Sequence, residues 1–243
     1  MKIIRLDTAD STNNWLAQNE QFLESPVLVY CISQTAGRGQ RGNSWESEPG
    51  KNITASILFH PENFPAHQQF KISEAVALAL TDYLDDKGVD AKVKWPNDIY
   101  VRDKKICGIL VEHVVTGRNI TRTIAGFGLN INQKEFLSDA PNPISLTQIT
   151  GNEYNLEQEI EEVADLLEKS LREFSNENLH NRFLNRLYRY DARHHKFHDK
   201  IRHETVNAKI LTVAPEGILT LKTDKGETRD YAFKEVEFII NER

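Results

Sequence analysis

The stretch Ser33–Asn52, SQTAGRGQRGNSWESEPGKN, holds four glycines, three cations and a tryptophan in twenty residues. Glycines let backbone amides approach a ligand, and Arg38 and Arg41 carry guanidinium donors suited to an anion. Trp45 brings a large apolar surface into a polar loop, and that surface needs a cover. A dinucleotide-binding turn would have to open a helix, because the helix N-terminus holds the pyrophosphate. Here more loop and then a strand follow the glycines, and the Gly-Lys-Ser/Thr of a P-loop is missing as well. By composition alone the stretch also fits a surface hairpin with solvated arginines.

A second cluster is KVKWPNDIYVRDKKICGILVE, Lys92–Glu112. It sets Trp95, Asn97 and Asp98 in one turn between strands, then Lys104 and Lys105 at the start of an apolar strand. A lysine beside a carboxylate at a cleft suits phosphate chemistry; a charged hairpin tip is the plainer alternative. The triple-histidine run RHHKFHDK, Arg193–Lys200, lacks a second cluster at metal-ligand spacing and reads as a linker with solvated histidines. Cys107, beside the lysines, reads as a small buried thiol.

These residues need a scaffold. The 243-residue chain is 39% hydrophobic and 27% charged, enough for a packed core, with net charge −6. That acidity argues against a general nucleic-acid or anionic-membrane binder. There is no long apolar run or signal-like N-terminus, and with only two cysteines a reduced, cytoplasmic protein is expected. Strands are predicted at KIIRLDT, PVLVYCIS, ITASILFHP, AKVKW, DIYVRD, KKICGILVEHVV and TRTIAGFGLNIN. Helices are predicted at DSTNNWLAQNEQFL, with Asp10 or Ser11 as cap, and at FKISEAVALALTDYLDDKG, closed by Gly88. A short helix capped by Ser145 ends at Gly151, and NLEQEIEEVADLLEKSLREF and NLHNRFLNRLYRYD are one or two more. From about Asp191 the pattern turns to period-two alternation with turns at Pro215–Gly217 and Asp224–Gly226. The expectation is α+β: a mixed sheet with helices over residues 1–190, and a small five-stranded β-barrel over 191–243.

In order and spacing, DSTNNWL, QTAGRGQRGNSW, KWPNDIYVRDKKICGILVE and GFGLNIN resemble the catalytic domain of biotin protein ligases. The resemblance covers essentially the whole chain and implies a class II synthetase-like catalytic domain with a C-terminal Src-homology-3-like barrel. It implies ATP, Mg2+ held mainly by the ATP phosphates, and biotin as substrates, and a biotin carboxyl carrier protein domain as acceptor. Biotinyl-5′-AMP would form first, and the acyl group would then pass to one carrier lysine. Lys105, Arg38 and Asp98 are the implied catalytic residues. Ser11, Thr12, Asn13, Gln34, Gly37, Arg38, Gly39, Gln40, Trp45, Lys105, Gly108, Leu110 and Gly126 would hold biotin. Arg38, Arg41, Trp95, Asn97, Lys105, Asn130 and Phe136 would hold ATP or the adenylate.

Lipoate ligases share the fold, and lipoate or octanoate transfer is the alternative within it; a non-catalytic biotin-binding regulator is the other. The Gly37–Gly42 stretch would act as a lid, with Gln133–Ile144 as a second mobile loop. The family loop most often reads Gly-Arg-Gly-Arg-x-Gly; here Gln40 stands at the fourth position. Because the first motif begins near residue 10, no N-terminal helix-turn-helix is expected, and no nucleic-acid or membrane partner. The family holds both monomers and homodimers.

Overall fold

The computed structural model describes residues 1–138 and 142–240, the side chains of Arg41 and Glu177 excepted. In chain order the elements are β1 (Lys2–Ala9), α1 (Thr12–Asn19), β2 (Val27–Gln34), β3 (Ile53–Phe59), β4 (Phe64–Pro65), α2 (Phe70–Asp86), β5 (Ala91–Lys94), β6 (Asp98–Val101), β7 (Lys104–Thr116) and β8 (Asn119–Leu129). Then come α3 (Leu146–Thr150), α4 (Leu156–Arg172), α5 (Glu177–Arg186), β9 (His195–Asp199), β10 (Glu204–Val213), β11 (Leu219–Thr223), β12 (Thr228–Tyr231) and β13 (Val236–Phe238). The first sheet runs β1-β2-β3-β8-β7-β6-β5, with β4 on β8. Its β1–β2 pair is parallel, joined by α1, and the other pairs are antiparallel.

The apolar run of β2 follows from cover on both faces. Leu28 and Tyr30 join the large core beneath α2, while Val27 and Val29 join Leu16 of α1 on the other side. Helix α2 is apolar nearly all round because it lies between the sheet and both α4 and α5. Gly88 follows it at φ 76°, the left-handed conformation that glycine adopts without strain. Ser145 and Gln148 form a reciprocal capping box on α3, and Asn155 and Asn176 cap α4 and α5 separately.

The second sheet is antiparallel, ordered β12-β11-β10-β9-β13. Its first strand, β9, occupies His195–Asp199, so the histidine-rich run is a strand and not a linker. Phe197 and Asp199 face inward, and the polar Lys196 and His198 that alternate with them hide the period-two pattern. The Asp199 carboxylate takes Arg229 at 3.0 Å and the Tyr231 hydroxyl at 2.7 Å. The two sheets are joined at Trp95, whose indole N–H donates to the Gly217 carbonyl at 3.0 Å while Phe233 packs edge-on, 5.4 Å between centroids.

The α2–α5 contact pairs a buried carboxylate with a half-buried histidine. Glu74 is 1% exposed and its carboxylate meets His180 Nδ1 at 2.8 Å. The bond to Glu74 raises the His180 pKa above its ordinary value, opposed by burial and by Lys71. A raised folded-state value means the pair stabilises fully below the ordinary histidine pKa and is lost as pH rises through the folded value. The urea midpoint of His180→Asn should therefore fall short of wild type most at about pH 5.5 and least at about pH 9. A deficit independent of pH counts against this account.

Candidate active site

A cavity of about 910 Å³ opens on the face of the first sheet away from α2, bordered by the second sheet. Strand alternation builds its floor. On β8, Ala125, Phe127 and Leu129 point into the large core, so Gly126 and Gly128 point the other way. Register then aligns residues of one face across strands: Thr54 opposite Gly128, Gly128 opposite Gly108, Gly108 opposite Asp98, and Asp98 opposite Lys94. A second row runs Ser56, Gly126, Leu110.

These glycines are spaces already taken. A Cβ on Gly128 would stand 2.2 Å from the Trp45 indole, and one on Gly108 would stand 2.9 Å from it. A Cβ on Gly126 would meet Asn13 Oδ1 at 2.1 Å. Trp45 thus lies flat on a glycine strip, with the Lys105 ammonium 5.5 Å from its ring. Among the described residues its buried indole N–H has no partner, nor has the buried Asn130 Oδ1; both residues border the cavity. Unpaired buried polar atoms are costly and mark where a ligand's polar groups would be received.

Lys105 reaches the cavity through a β-bulge. Asp98 pairs with Gly108 and Ile99 with Cys107, but Tyr100 pairs with Lys105, so Ile106 is the extra residue. Without it, three residues from Gly108 to Lys105 would turn the lysine to the opposite face. With it, Lys105 Nζ lies 2.6 Å from the Asp98 carboxylate. Lys94, on the same row, has its ammonium 5.1 Å from the rings of both Tyr100 and Phe238. Burial lowers its pKa, partly opposed by Asp98. Cys107 faces the core, and burial pushes its thiol well above the ordinary range, which removes it from nucleophilic chemistry at neutral pH.

The N-terminus of α1 supplies neutral groups. Ser11, Thr12 and Asn13 are each 3% exposed. Ser11 occupies the N-cap position without a side-chain cap bond, leaving its hydroxyl to the cavity. Gln34 Oε1 accepts from the Thr12 amide at 2.9 Å, the Thr12 and Ser56 hydroxyls lie 2.6 Å apart, and Ser56 donates to Asn13 Oδ1 at 2.6 Å. Asn13 Nδ2 donates to Glu112 at 2.7 Å, and the other Glu112 oxygen takes Arg38 at 2.9 Å. Arg38 also donates to Asn14 at 2.7 Å.

The glycine-rich loop is a small hairpin. Trp45 N–H donates to the Gly37 carbonyl at 3.0 Å and Gly39 N–H to Asn43 at 2.7 Å, around a single 3-10 turn over Gln40–Gly42. A Cβ on Gly37 would strike the Trp45 carbonyl at 2.5 Å, and Gly42 stands at φ 87°. So these glycines serve the hairpin's own close crossing as well as the cavity.

Of the residues expected to form the site, Ser11, Thr12, Asn13, Gln34, Arg38, Gly39, Gln40, Trp45, Trp95, Asn97, Asp98, Lys105, Gly108, Leu110, Gly126, Asn130 and Phe136 all border this cavity. Gly37 braces Trp45 from behind, and the Arg41 side chain lies outside the described residues, as do residues 139–141 of the second loop. Trp95 borders the cavity but is 2% exposed, and its N–H is spent on the joint between the sheets. Asn97 Nδ2 is likewise engaged, donating to the Ile109 carbonyl at 2.7 Å. Sequence reasoning missed Ser56, Glu112 and Lys94. Ser56 follows only from strand register; Glu112 closes the Lys92–Glu112 cluster, but only register brings it to Asn13 and Arg38; Lys94 adjoins the Trp-Pro-Asn-Asp turn and was within reach. Among the described residues no group of three or more His, Cys, Asp or Glu could hold a metal ion, and no helix is long and apolar enough to cross a membrane.

The profile of the biotin/lipoate A/B protein ligase family matches residues 4–130. The bifunctional ligase/repressor BirA of Bacillus subtilis is 27% identical over 237 residues, covering 93% of this chain and 70% of its own. The biotin--[acetyl-CoA-carboxylase] ligase of Paracoccus denitrificans is 31% identical over 129 residues, 52% of this chain and 53% of its own. In three dimensions the biotin protein ligase of Aquifex aeolicus, solved with biotin and ATP, superposes with TM-score 0.78 at 22% identity, over 97% of both chains. The matched span contains the glycine strip, the bulge and Lys105, and on that match the chain belongs to the biotin/lipoate A/B protein ligase family.

Proposed function

We propose that this chain activates biotin with ATP to biotinyl-5′-AMP and passes the biotinyl group to one lysine of a biotin carboxyl carrier domain. One observation carries the reading: a single cavity joins neutral amide and hydroxyl groups, suited to a urea, with Lys105, suited to a carboxylate and a phosphate. Thr12, Asn13 and Gln34 fix the neutral end, and the Trp45 indole seated on the Gly108–Gly128 strip gives an apolar wall for a bicycle. The B. subtilis and P. denitrificans relatives, named as ligases, support the same reaction class.

In the first step a biotin carboxylate oxygen forms a bond to the α-phosphorus as the bond to the bridging oxygen of pyrophosphate breaks. Two anions must meet, so catalysis rests on positioning and charge neutralisation. Lys105 is placed for that task, and Asp98 holds its ammonium toward the cavity. Mg2+ arrives on the ATP phosphates as part of the substrate. In the second step the acceptor amine adds to the acyl carbon, AMP leaves with the carbon–oxygen bond pair, and the amine gives up a proton. Trp45, Phe136 and the hairpin exclude water from the mixed anhydride meanwhile.

Lipoate or octanoate transfer is the second reading within the family; those acyl chains have no urea for Thr12, Asn13 and Gln34 to receive. MgATP with labelled biotin or lipoate and an apo carrier domain separates them: carrier label from biotin alone is expected, and label from lipoate alone overturns the assignment. Lys105→Ala should slow adenylate formation about 100- to 1,000-fold. A Lys105→Ala enzyme as fast as wild type would remove the lysine from the mechanism. Gly128→Ala should raise the biotin KM at least about tenfold by lifting Trp45 off the strip, while leaving the fold intact by circular dichroism. Gln40→Arg should slow biotinyl-AMP release about tenfold, since one charge-assisted hydrogen bond is worth roughly 1.5–3 kcal/mol. Unchanged release would show that position 40 acts through its backbone.

A further inference from the structure

The loop between β2 and β3 and the segment after β8 meet over the cavity at one carboxylate. Glu46 Oε1 accepts the Leu137 amide at 2.8 Å and Gln133 Nε2 at 3.3 Å, while Oε2 accepts the Ser138 amide at 2.8 Å. Two consecutive backbone N–H groups aimed at one carboxylate make a small anion nest, here filled by a side chain from the other loop. The contact is anchored below. Gln133 is 2% exposed; its Oε1 accepts the Glu48 amide at 3.0 Å and Asn52 Nδ2 at 2.5 Å. Asn52, 3% exposed, accepts the Ile131 amide at 3.0 Å. A chain of buried amides thus runs from the end of β8 to the glycine-rich loop and ends on Glu46. Burial pushes the Glu46 carboxyl up, and the bonds from Leu137, Ser138 and Gln133 more than offset it, leaving it below the ordinary range and ionised at neutral pH.

The segment so held carries Phe136 and Leu137, which both border the cavity. Leu137 is 89% exposed, so apolar burial does little to fix this stretch of backbone. Polar contacts do that work: Lys134 reaches the exposed Glu153 at 3.4 Å, and at 137–138 the charged contact is Glu46. We propose that Glu46 is a positioning residue that couples the two loops, holding Phe136 and Leu137 over the cavity when, and only when, the Trp45 hairpin is seated. This rests on the adenylate-forming reading of the cavity, in which a hydrolysable intermediate is kept by two loops closing as one. Trp45 and Glu46 are adjacent, so seating of the indole on the glycine strip and capture of the second loop are linked through one peptide unit.

The test compares wild type, Glu46→Ala and the near-isosteric Glu46→Gln as full chains. In the ligand-free proteins, hydrogen exchange at Leu137 and Ser138 should quicken about 10- to 100-fold in Glu46→Ala, with Glu46→Gln between, as expected for loss of a charge-assisted bond of roughly 1.5–3 kcal/mol. After pre-loading with biotin and MgATP, biotinyl-AMP release should quicken about tenfold in Glu46→Ala, with the biotin KM within about twofold of wild type. A merely structural defect would raise both and lower the thermal midpoint. Exchange at 137–138 equal in all three proteins overturns the coupling, as does faster exchange with unchanged adenylate retention. If wild type forms no biotinyl-AMP, the functional reading fails, and the exchange arm still decides whether Glu46 ties the loops.

Discussion

The contact between Lys105 and Asp98 is the point on which the site is organised. It exists because β7 carries one residue more than β6 between two fixed pairs. Side chains alternate along a strand, so a single inserted residue exchanges the two faces for everything beyond it. Ile106 takes the core side at the bulge, fully buried, and Lys105 is delivered to the cavity beside a carboxylate. The bulged backbone is not left unpaired. The Ile106 carbonyl accepts the Asn130 amide at 2.9 Å, and Lys105 exchanges backbone bonds with Asn142 and Ile144, also at 2.9 Å. The lysine's place is therefore set by three segments, and the loop that follows β8 is zipped at its far end to Lys105.

The rest of the cavity depends on the same sheet logic. A trough across antiparallel strands needs small residues in directly opposing positions. Here Gly108 opposes Gly128. The trough they leave has room for one aromatic plane, and Trp45 occupies it from the loop side. Gly126 leaves the matching space for the Asn13 amide. The second sheet closes the other border: Lys200, Lys234 and Phe238 reach the same cavity, and the Trp95–Gly217 bond with Phe233 fixes the sheet that carries them.

Much of this scaffold was legible. The period of α2, the glycine after it, the Ser145 cap and the alternation after residue 200 each express a local rule that needs no partner. The residues that border the cavity were legible mainly through motif order. What could not be read were facts of register and of distance along the chain. The Ile106 bulge looks like one more apolar residue in an apolar run. Ser56 and Glu112 are ordinary strand residues until β3, β8 and β7 align. Strand β9 hides Phe197 and Asp199 among histidines and lysine, and the aspartate inside it is tolerated because Arg229 and Tyr231 satisfy it. Trp95 sits in a motif that points to the ligand, yet its N–H is used against a carbonyl more than a hundred residues later in the chain.

The guanidinium of Arg38 shows how such a site is held ready without being committed. It is paired with Glu112 and bonded to Asn14, so an incoming anion must take it from them. Both partners of the ion pair are about two-fifths exposed, at 43% and 40%. A pair so placed is worth roughly 0–1 kcal/mol in water. A charge-assisted bond to a carboxylate or phosphate inside a closed cavity is worth roughly 1.5–3 kcal/mol. On the proposed reading the exchange would run toward the ligand, and the resting pair keeps the side chain at the rim at little cost. Glu112 does not lose its purpose in the exchange, because its other oxygen still holds Asn13, and through Ser56 and Thr12 the neutral end of the cavity. One carboxylate thus links Arg38 at the rim to the neutral end of the cavity, and a strand position acquires its place in the site from the one loop and the helix that meet there.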